Sequence, residues 1–327
     1  MKGLILCAGK GTRLQPFSNN KPKVLLPVVN KPIIYYGIEK LVKLNICEIG
    51  IVIHPNHFNL FMEEVGTGER WGAKITYIFQ FDPLGISDAV KHSESFIDNE
   101  PFLLLLGDNL ITQSLDSLCQ AVLNDHNEAA ILLGKVKNPQ DFGIAEVYED
   151  KIIGLEEKPS APKSDLAVLG VYAFKPSIFE AVHSIRPSAR GEYEITDAIQ
   201  WMINNHYSVA YQKTDKNFSD VGTMDRWLDA NRWMLQLMEE EGVLNKELPY
   251  QGSTIIQPVC IDPSSEIINC VIGPYVTIGP NVRLESCSIE HSIVLEDANL
   301  NHSLYTIANT IISPQSVFVQ NSGGSSK

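Results

Sequence analysis

Aliphatic residues near the end of the chain recur at a fixed interval of seventeen residues. One such row contains Ile261, Ile278, Leu295 and Ile312, and a second contains Ile255, Ile272 and Ile289. Aliphatic positions of different rows are five or six residues apart, so three steps complete one period. Stacked triangular coils that bury each row against the next explain this spacing. A β-sandwich, the alternative, gives no reason for such a register.

The first two thirds of the chain alternate short apolar runs with segments of helical period. The apolar runs predict buried strands, at residues 4–6, 49–53, 75–78 and 102–106. The periodic segments predict helices, at 33–44, 86–96 and 223–241, the last one ended by Gly242. This alternation is typical of an α/β fold with a mostly parallel sheet covered on both faces. Ligands are then expected beyond the carboxyl ends of the strands.

These patterns together predict two domains. We expect an α/β domain over residues 1–242, a linker at 243–250 and a coil domain over 251–320. Residues 321–327 read Asn-Ser-Gly-Gly-Ser-Ser-Lys, a composition typical of a disordered tail.

Composition limits the partners of the chain. A formal charge of −13 and a pI near 5.1 disfavour nucleic acid and anionic membrane surfaces, so a phosphate ligand must be held by local cations or a metal. No run of eighteen apolar residues occurs, and we expect a soluble cytoplasmic protein. The 6 cysteines form no CxxC pair, which predicts reduced thiols and no zinc site.

A glycine-containing loop directly after the first strand is the strongest local motif. Residues 6–14 read LCAGKGTRL, in which Gly9 and Gly11 allow main-chain N–H groups to approach a phosphate. It is not a Walker A loop, because Gly11 separates the Gly-Lys pair from Thr12. It is not the dinucleotide fingerprint either, because Leu14 stands where that motif needs a small residue.

With the segment KPKVLLP at 21–27, this loop resembles the amino-terminal motif of the sugar-1-phosphate nucleotidylyltransferases. Further matches follow in the order of that family, at 80–89, 106–109, 142–143, 156–159, 169–172, 190–197 and 220–223. They span residues 1 to about 240. The resemblance is greatest to the long type of glucose-1-phosphate thymidylyltransferases, which implies a Rossmann-like domain followed by a left-handed, hexapeptide-repeat β-helix.

The resemblance implies a defined reaction. A phosphate oxygen of glucose 1-phosphate would attack the α-phosphorus of dTTP or UTP in line, with Mg²⁺ as cofactor. The products would be dTDP-glucose or UDP-glucose and pyrophosphate. Because the nucleophile is already an anion, the reaction needs alignment and charge stabilisation instead of a general base.

The resemblance also implies a role for individual residues. The catalytic set is Arg13, Lys23 and Asp108, and the metal ligands are Asp108 and Asp220. The nucleotide site is expected to contain Leu6, Ala8, Gly9, Gly11, Thr12, Arg13, Gln80, Gly85 and Asp108. The sugar-phosphate site is expected to contain Gly143, Glu157, Lys158, Gly170, Val171 and Arg190. Lys10 and Lys21 are interpreted as ordinary surface lysines.

Three positions depart from the family pattern. Cys7-Ala8 stands where Ala-Gly is usual, and Asp88 stands where glutamine or histidine is common, which leaves open any base contact inferred there.

Several alternatives to the main interpretation remain open at this point. They are a uridylyltransferase for another sugar 1-phosphate, an inactive regulatory subunit, and a coil domain that transfers acetyl groups with His291 or His302 as base. We expect the coils to support self-association into a homo-oligomer, or allostery.

Overall fold

A computed structural model describes residues 1–124, 126–244, 250–303, 305–314 and 316. The chain divides into two compact units. Unit 1 comprises Met1–Leu26 and Pro32–Gly222, and unit 2 combines Pro27–Lys31 with the chain from Thr223 onward. Residues 245–249 of the predicted linker, and the predicted tail at 321–327, lie outside the described residues. The domain limits drawn from the sequence stay a prediction.

The elements up to residue 222 are numbered in chain order. The helices are α1 (Ile33–Lys43), α2 (Phe58–Glu64), α3 (Ile86–His92), α4 (Glu94–Ile97), α5 (Asp116–Leu123), α6 (Ile178–Ser184) and α7 (Ile195–Asn204). The strands are β1 (Lys2–Leu6), β2 (Pro27–Val28), β3 (Lys31–Pro32), β4 (Glu48–Ile53), β5 (Lys74–Phe79), β6 (Phe102–Leu106), β7 (Asn109–Ile111), β8 (Ala129–Lys135), β9 (Gly143–Tyr148), β10 (Lys151–Glu157), β11 (Leu166–Phe174), β12 (Val209–Thr214) and β13 (Phe218–Asp220).

Unit 1 is built on a 9-stranded sheet. Its central order is β10-β9-β11-β6-β1-β4-β5, with β8 beside β11 and β12 beside β8. Strands β6, β1, β4 and β5 are parallel, whereas β11 joins β6 in antiparallel orientation. Leu6 pairs with Val52 on one side and Leu106 on the other. The carboxyl ends of β1 and β6 therefore meet at one edge, which the mixed α/β sheet presents to a ligand.

Side chains alternate between the two faces of this sheet. On β6, Leu103 and Leu105 pack into a core that also contains the apolar faces of α1 and α5. Phe102 and Leu104 point the other way, into a core shared with α3, α6 and α7. Period-two alternation on a strand buried on both sides produces these two cores. The predicted α/β fold with helices on both faces is confirmed.

The helix predicted at 86–96 is wrong in its length. It ends at His92, and a separate short helix α4 begins at Glu94. Between them lies Ser93, whose buried Oγ donates a hydrogen bond to the carbonyl of Ala89 at 2.8 Å. A serine hydroxyl that binds a carbonyl four residues earlier competes with the helical pattern, and the apolar spacing did not reveal it.

Unit 2 contains one long helix, α8 (Met224–Glu240), and short parallel strands. The strands are β14 (Thr254–Ile255), β15 (Val259–Ile261), β16 (Glu266–Ile268), β17 (Val271–Ile272), β18 (Val276–Ile278), β19 (Arg283–Glu285), β20 (Ser288–Glu290), β21 (Ile293–Val294), β22 (Asn299–Asn301), β23 (Thr306–Ala308) and β24 (Ile311–Ile312). They stack in three sheets, β14-β17-β20-β23, β15-β18-β21-β24 and β16-β19-β22. The predicted β-helix is confirmed by this threefold stacking.

The aliphatic rows run through the core of these coils. Ile255, Ile272 and Ile289 are register partners, as predicted. The row predicted from Ile261 to Ile312 is wrong at one position, because Ile278 pairs with Val294 instead of Leu295. From Ile272 to Ile278 the coil advances six residues, but from Ile289 to Val294 only five. That corner is one residue shorter, so the register shifts from a constant spacing.

The segment Pro27–Lys31, which forms most of the hairpin of β2 and β3, belongs to unit 2 although it is far from the coils in sequence. The indole Nε1 of Trp227 donates to the carbonyl of Pro27 at 2.6 Å, and the main-chain N–H of Val29 donates to Oδ1 of Asn231 at 3.0 Å. The same Oδ1 accepts from Oγ1 of Thr277 at 2.9 Å. Asn231 is 1% exposed, so its amide connects hairpin, helix and coil inside a dry environment.

Replacement of this amide should destabilise unit 2. In Asn231→Leu the branched shape and the number of heavy atoms are kept, but a buried N–H and a buried hydroxyl lose their acceptor, which costs about 1 to 3 kcal/mol each. We expect a lower midpoint of urea unfolding, followed by circular dichroism. The control is Asn299→Leu, at an exposed coil position. Equal midpoints for the two variants would contradict the bridging role.

Candidate active site

The loop after β1 is fixed at the carboxyl edge of the sheet. The N–H of Cys7 donates to the carbonyl of Val52 at 2.7 Å, and the N–H of Gly107 donates to the carbonyl of Leu6 at 2.9 Å. Gly11 adopts a φ of 61°, a left-handed conformation that suits glycine, and a short helical turn follows from Thr12 to Leu14. The expectation that the motif lies beyond the strand end is met.

Lys23 and Asp108 form an ion pair at this edge. The Nζ of Lys23 is paired with Oδ2 of Asp108, and both side chains are mostly buried, at 19% and 14% exposed. Lys23 also lies beside the glycine-containing loop after β1, which is called the phosphate loop below for its expected ligand. A Cβ added to Gly9 of this loop would be 3.6 Å from Cε of Lys23. The cation and the carboxylate therefore lie against the loop whose N–H groups could receive a phosphate.

Asp220 and Arg13 lie next to this pair. Strand β13 runs antiparallel to β7 with Asp220 opposite Asn109, and the N–H of Val221 donates to the carbonyl of Asp108 at 2.9 Å. A Cβ added to Gly222 would be 3.0 Å from Nη2 of Arg13 and 3.6 Å from Oδ2 of Asp220. The structure thus brings together the four residues that the sequence assigns to catalysis and metal binding.

The residues present fit a magnesium ion. Asp108 and Asp220 supply hard carboxylate oxygens from adjacent main-chain positions. Magnesium prefers oxygen ligands and usually takes the rest of its shell from water and substrate phosphates. Among the described residues no group of three or more acidic, His or Cys side chains could form an all-protein cage. The donor set therefore suits a metal shared with a phosphate ligand.

Arg190 lies among three carboxylates on the opposite side of the site. Its Nη1 is 3.5 Å from Oε1 of Glu157 and 3.4 Å from Oε1 of Glu194, and its Nη2 is 3.5 Å from Oε1 of Glu192. Lys158 Nζ is 3.9 Å from the same oxygen of Glu157. The sequence did not single out Glu192 or Glu194, although both stand in the RGEYEITD motif. The two cations of this side are thus held by carboxylates.

The pKa values of two of these carboxyl groups are raised. Burial raises the pKa of Glu157 above its ordinary value, and the nearby Glu194 raises it further. Burial is also the main cause that raises the pKa of Glu194, against the opposing effects of Ser188 and Arg190. The surroundings of Arg190 therefore combine two cations with carboxyl groups whose pKa is raised.

Two glycines give Glu157 and Asn109 the room they occupy. A Cβ on Gly143 would be 2.9 Å from Oε2 of Glu157, and a Cβ on Gly170 would be 2.4 Å from Nδ2 of Asn109. Gly170 has a φ of 65° and lies where the pairing of β11 with β8 is irregular. Val171 is 0% exposed within the core, so only its main chain could reach a sugar.

Gln80 follows the end of β5 and is 3% exposed. Its amide Nε2 donates to Oδ2 of Asp88 at 2.6 Å and to the carbonyl of Gly85 at 3.3 Å. Gly85 has a φ of 114°, and a Cβ there would lie 2.5 Å from the carbonyl oxygen of Tyr193. This close approach connects the loop before α3 with the segment that carries Arg190 and Glu194.

These groups surround one cleft of about 500 Å³. Its lining includes ten residues of the predicted sites, namely Leu6, Ala8, Gly9, Lys23, Gln80, Gly85, Asp108, Glu157, Lys158 and Arg190. The lining formed by described residues does not include Gly11, Thr12, Arg13, Gly143, Gly170, Val171 or Asp220. Lys10, interpreted from sequence as an ordinary surface lysine, does line the cleft.

Cys7 packs behind the phosphate loop. A Cβ on Gly107 would be 2.5 Å from its Sγ, so the thiol fills the space between the two strand ends. Burial raises the pKa of Cys7 well above its ordinary value, with the charge of Asp108 as a second cause. The thiol is therefore a packing group at this departure from the family pattern.

The model of the nucleotidyl transferase family matches residues 2–236. The chain belongs to this family. A glucose-1-phosphate thymidylyltransferase from Streptomyces griseus is 34% identical over 92% of this chain and 89% of its own length. Its namesake from Streptomyces antibioticus is 37% identical, over 91% and 88%. A solved putative glucose-1-phosphate thymidylyltransferase from Bacillus anthracis, in complex with a sucrose, has a TM-score of 0.67 at 35% identity, covering 71% of this chain and 94% of its own.

The chain is thus a nucleotidyltransferase, in a family whose members are generally metal-dependent. No helix among the residues that the structure describes is long and apolar enough to cross a membrane.

Burial of Glu194 predicts a stability that depends on pH. The pKa of Glu194 is raised in the folded nucleotidyltransferase. Below the pKa of the unfolded chain, about 4.3, the carboxyl group is protonated in both states and does not lower the free energy of unfolding. As pH rises through the folded pKa, stability is lost. Glu194→Gln is neutral at every pH, so its melting temperature should exceed that of the wild type by a margin that grows from pH 4 to pH 8.

The control for this pH series is Glu63→Gln. Glu63 lies at an exposed position of α2, away from Glu194 in sequence, so we expect no growing margin. A margin for Glu194→Gln that is flat across the series would reject burial as the cause.

Proposed function

We propose that this nucleotidyltransferase transfers a thymidylyl group from dTTP to glucose 1-phosphate, giving dTDP-glucose and pyrophosphate. The observation that carries the proposal is that Lys23 and Asp108 line the same cleft as Lys158 and Arg190. One cleft therefore holds Lys23 as well as the separate cations Lys158 and Arg190, as a reaction between two phosphate compounds requires. The names of the Streptomyces relatives support glucose 1-phosphate and a thymidylyl donor.

The triphosphate would bind to the loop after β1. Main-chain N–H groups near Gly9 and Gly11 donate to the phosphates, while Arg13 and Lys23 offset charge at the α-phosphate and the leaving pyrophosphate. Since the chain carries a net charge of −13, these local cations must overcome a repulsive background. The cleft position of Lys10 makes it a further candidate for the phosphate tail.

The sugar phosphate would bind on the Arg190 side. Arg190 offers a planar guanidinium for bidentate contact and Lys158 a point charge, while Glu157 accepts hydrogen bonds from sugar hydroxyls. Gly143, Gly170 and the main chain of Val171 would complete the sugar pocket. Both substrates are then held so that one phosphate oxygen faces the α-phosphorus, and alignment supplies much of the catalysis.

We propose Mg²⁺ as the cofactor, held by Asp108 and Asp220. When bound, it would neutralise phosphate charge and favour one orientation of the triphosphate. Lys23, paired with Asp108, holds that carboxylate beside the loop after β1.

The alternative substrates are UTP and another sugar 1-phosphate. One methyl group separates uracil from thymine, and a difference of this size is worth about 1 to 3 kcal/mol in an apolar pocket. An inactive regulatory subunit is disfavoured, because the cations and both acidic residues are retained. Acetyl transfer by the coils is disfavoured because His291 stacks on Tyr275, with ring centroids 5.2 Å apart, as a packing group.

We also infer that the coils support a homo-oligomer, since Ile256, Val271 and Tyr305 leave apolar surface exposed along one side of unit 2. A cytoplasmic location goes with the proposed substrates, which are cytoplasmic metabolites.

The experiment that tests this function is pyrophosphate release by the purified chain. The matrix sets dTTP, UTP, ATP and GTP against glucose 1-phosphate and other sugar 1-phosphates, with and without EDTA. We expect the highest kcat/KM for dTTP with glucose 1-phosphate and loss of turnover in EDTA. Preference for another pair would reassign the substrates.

The carboxylate of Asp108 should be essential for turnover. Asp108→Asn keeps the shape but cannot neutralise Mg²⁺ or Lys23, so we expect kcat to fall by about 100-fold or more. The readout is steady-state pyrophosphate release, with circular dichroism to verify folding. Asp116→Asn, at an exposed site on α5, serves as the control with unchanged kcat. Near wild-type turnover of Asp108→Asn would remove this residue from the mechanism.

A further inference from the structure

Asp88 lies behind the cleft and not in it. The described lining contains its neighbours on α3, Ile86 and Ala89, together with Gln80 and Gly85, but not Asp88. Its side chain is only 13% exposed, and its Oδ2 accepts the 2.6 Å hydrogen bond from Nε2 of Gln80. His92 Nε2 is 3.7 Å from the same oxygen, beyond hydrogen-bond distance. The contact to Gln80 is therefore the specific one.

This contact determines which way the Gln80 amide faces. A primary amide has two N–H donors on nitrogen and one acceptor oxygen. The carboxylate of Asp88 and the carbonyl of Gly85 both accept a hydrogen bond from the amide nitrogen of Gln80. Rotation of the amide by 180° would set its oxygen against two other oxygens. The carbonyl Oε1 is consequently the group that Gln80 has left for a ligand.

We propose that Asp88 is a positioning residue that fixes Gln80 as a hydrogen-bond acceptor, so that the site reads the N3–H of the pyrimidine. The assignment rests on the proposed function, in which the base is thymine or uracil. On the pairing edge of these bases N3–H is the one donor, between two carbonyl oxygens. Cytosine carries an acceptor at N3, so a fixed acceptor opposes it.

The strength of the contact supports a large effect. A hydrogen bond to a charged acceptor is stronger than one between neutral groups, and Gln80 is 3% exposed, so water does not replace it. The main-chain N–H of Gln80 also donates to the carbonyl of Ile53 at 3.0 Å, which holds the residue at the strand end. Gln80 is thus held by hydrogen bonds of both its main chain and its side-chain amide before a nucleotide binds.

The decisive measurement compares dUTP with dCTP, which differ only on the pairing edge. In the wild type we expect strong preference for dUTP in kcat/KM. Asp88→Leu cannot accept a hydrogen bond, so the amide can turn and offer its N–H to cytosine. We expect the dUTP to dCTP ratio to fall by about tenfold or more. Asp88→Asn keeps an acceptor oxygen and should retain most of the preference.

Two controls separate this role from general damage. The dTTP to dUTP ratio should stay unchanged in Asp88→Leu, because the C5 methyl lies off the pairing edge. His92→Ala removes the imidazole that lies 3.7 Å from Oδ2 of Asp88, and it should keep both ratios. A folded Asp88→Leu with the wild-type dUTP to dCTP ratio, or with equal losses for both nucleotides, would overturn the proposal.

The wild type alone can also decide. With N3-methyl-dTTP, which lacks the N3 proton, turnover should fall by about tenfold or more relative to dTTP. Equal use of both would overturn the proposal even if Asp88→Leu did not fold. A wild type that is inactive with dTTP and dUTP would reject the proposed function together with this assignment. Activity with unchanged discrimination would reject this assignment alone.

Discussion

The register between β1 and β6 is the constraint on which the site depends. Leu6 and Leu106 are paired, and the N–H of Gly107 donates to the carbonyl of Leu6, so the chain leaves both strands at one edge. A slip of one residue would exchange the two faces of a strand and move Asp108 away from the phosphate loop. Gly107 permits this approach, because any Cβ would meet the sulfur of Cys7 at 2.5 Å.

Three cations of the cleft, Lys23, Lys158 and Arg190, are paired with carboxylates of the chain. Lys23 is bound to Asp108, and Arg190 lies within 3.5 Å of three glutamates. Under the proposed function, substrate phosphates exchange with these internal acids instead of meeting free cations. The internal ion pairs keep the cationic side chains ordered before binding, which lowers the entropy lost on association.

Sequence predicted the features that depend on local pattern. The apolar runs became the central strands, and the loop motif lies at their carboxyl ends because parallel strands place it there. Long-range contacts were not visible. Ser93 ends a helix through one hydroxyl, the corner after Ile289 is one residue short, and Asp88 is explained only by its contact with Gln80. Glu194 stood in a quoted motif, but its contact with Arg190 depends on the folded loop.

The chain passes from unit 1 into unit 2 at two points that are close in sequence to residues of the proposed site. Pro27–Lys31 belongs to unit 2, where Trp227, Asn231 and the carbonyl of Ile278 hold it, yet its first residue comes only four positions after Lys23. Unit 2 resumes at Thr223, three positions after Asp220. The chain thus enters unit 2 twice, each time within four residues of a side chain that the proposed function places in the site.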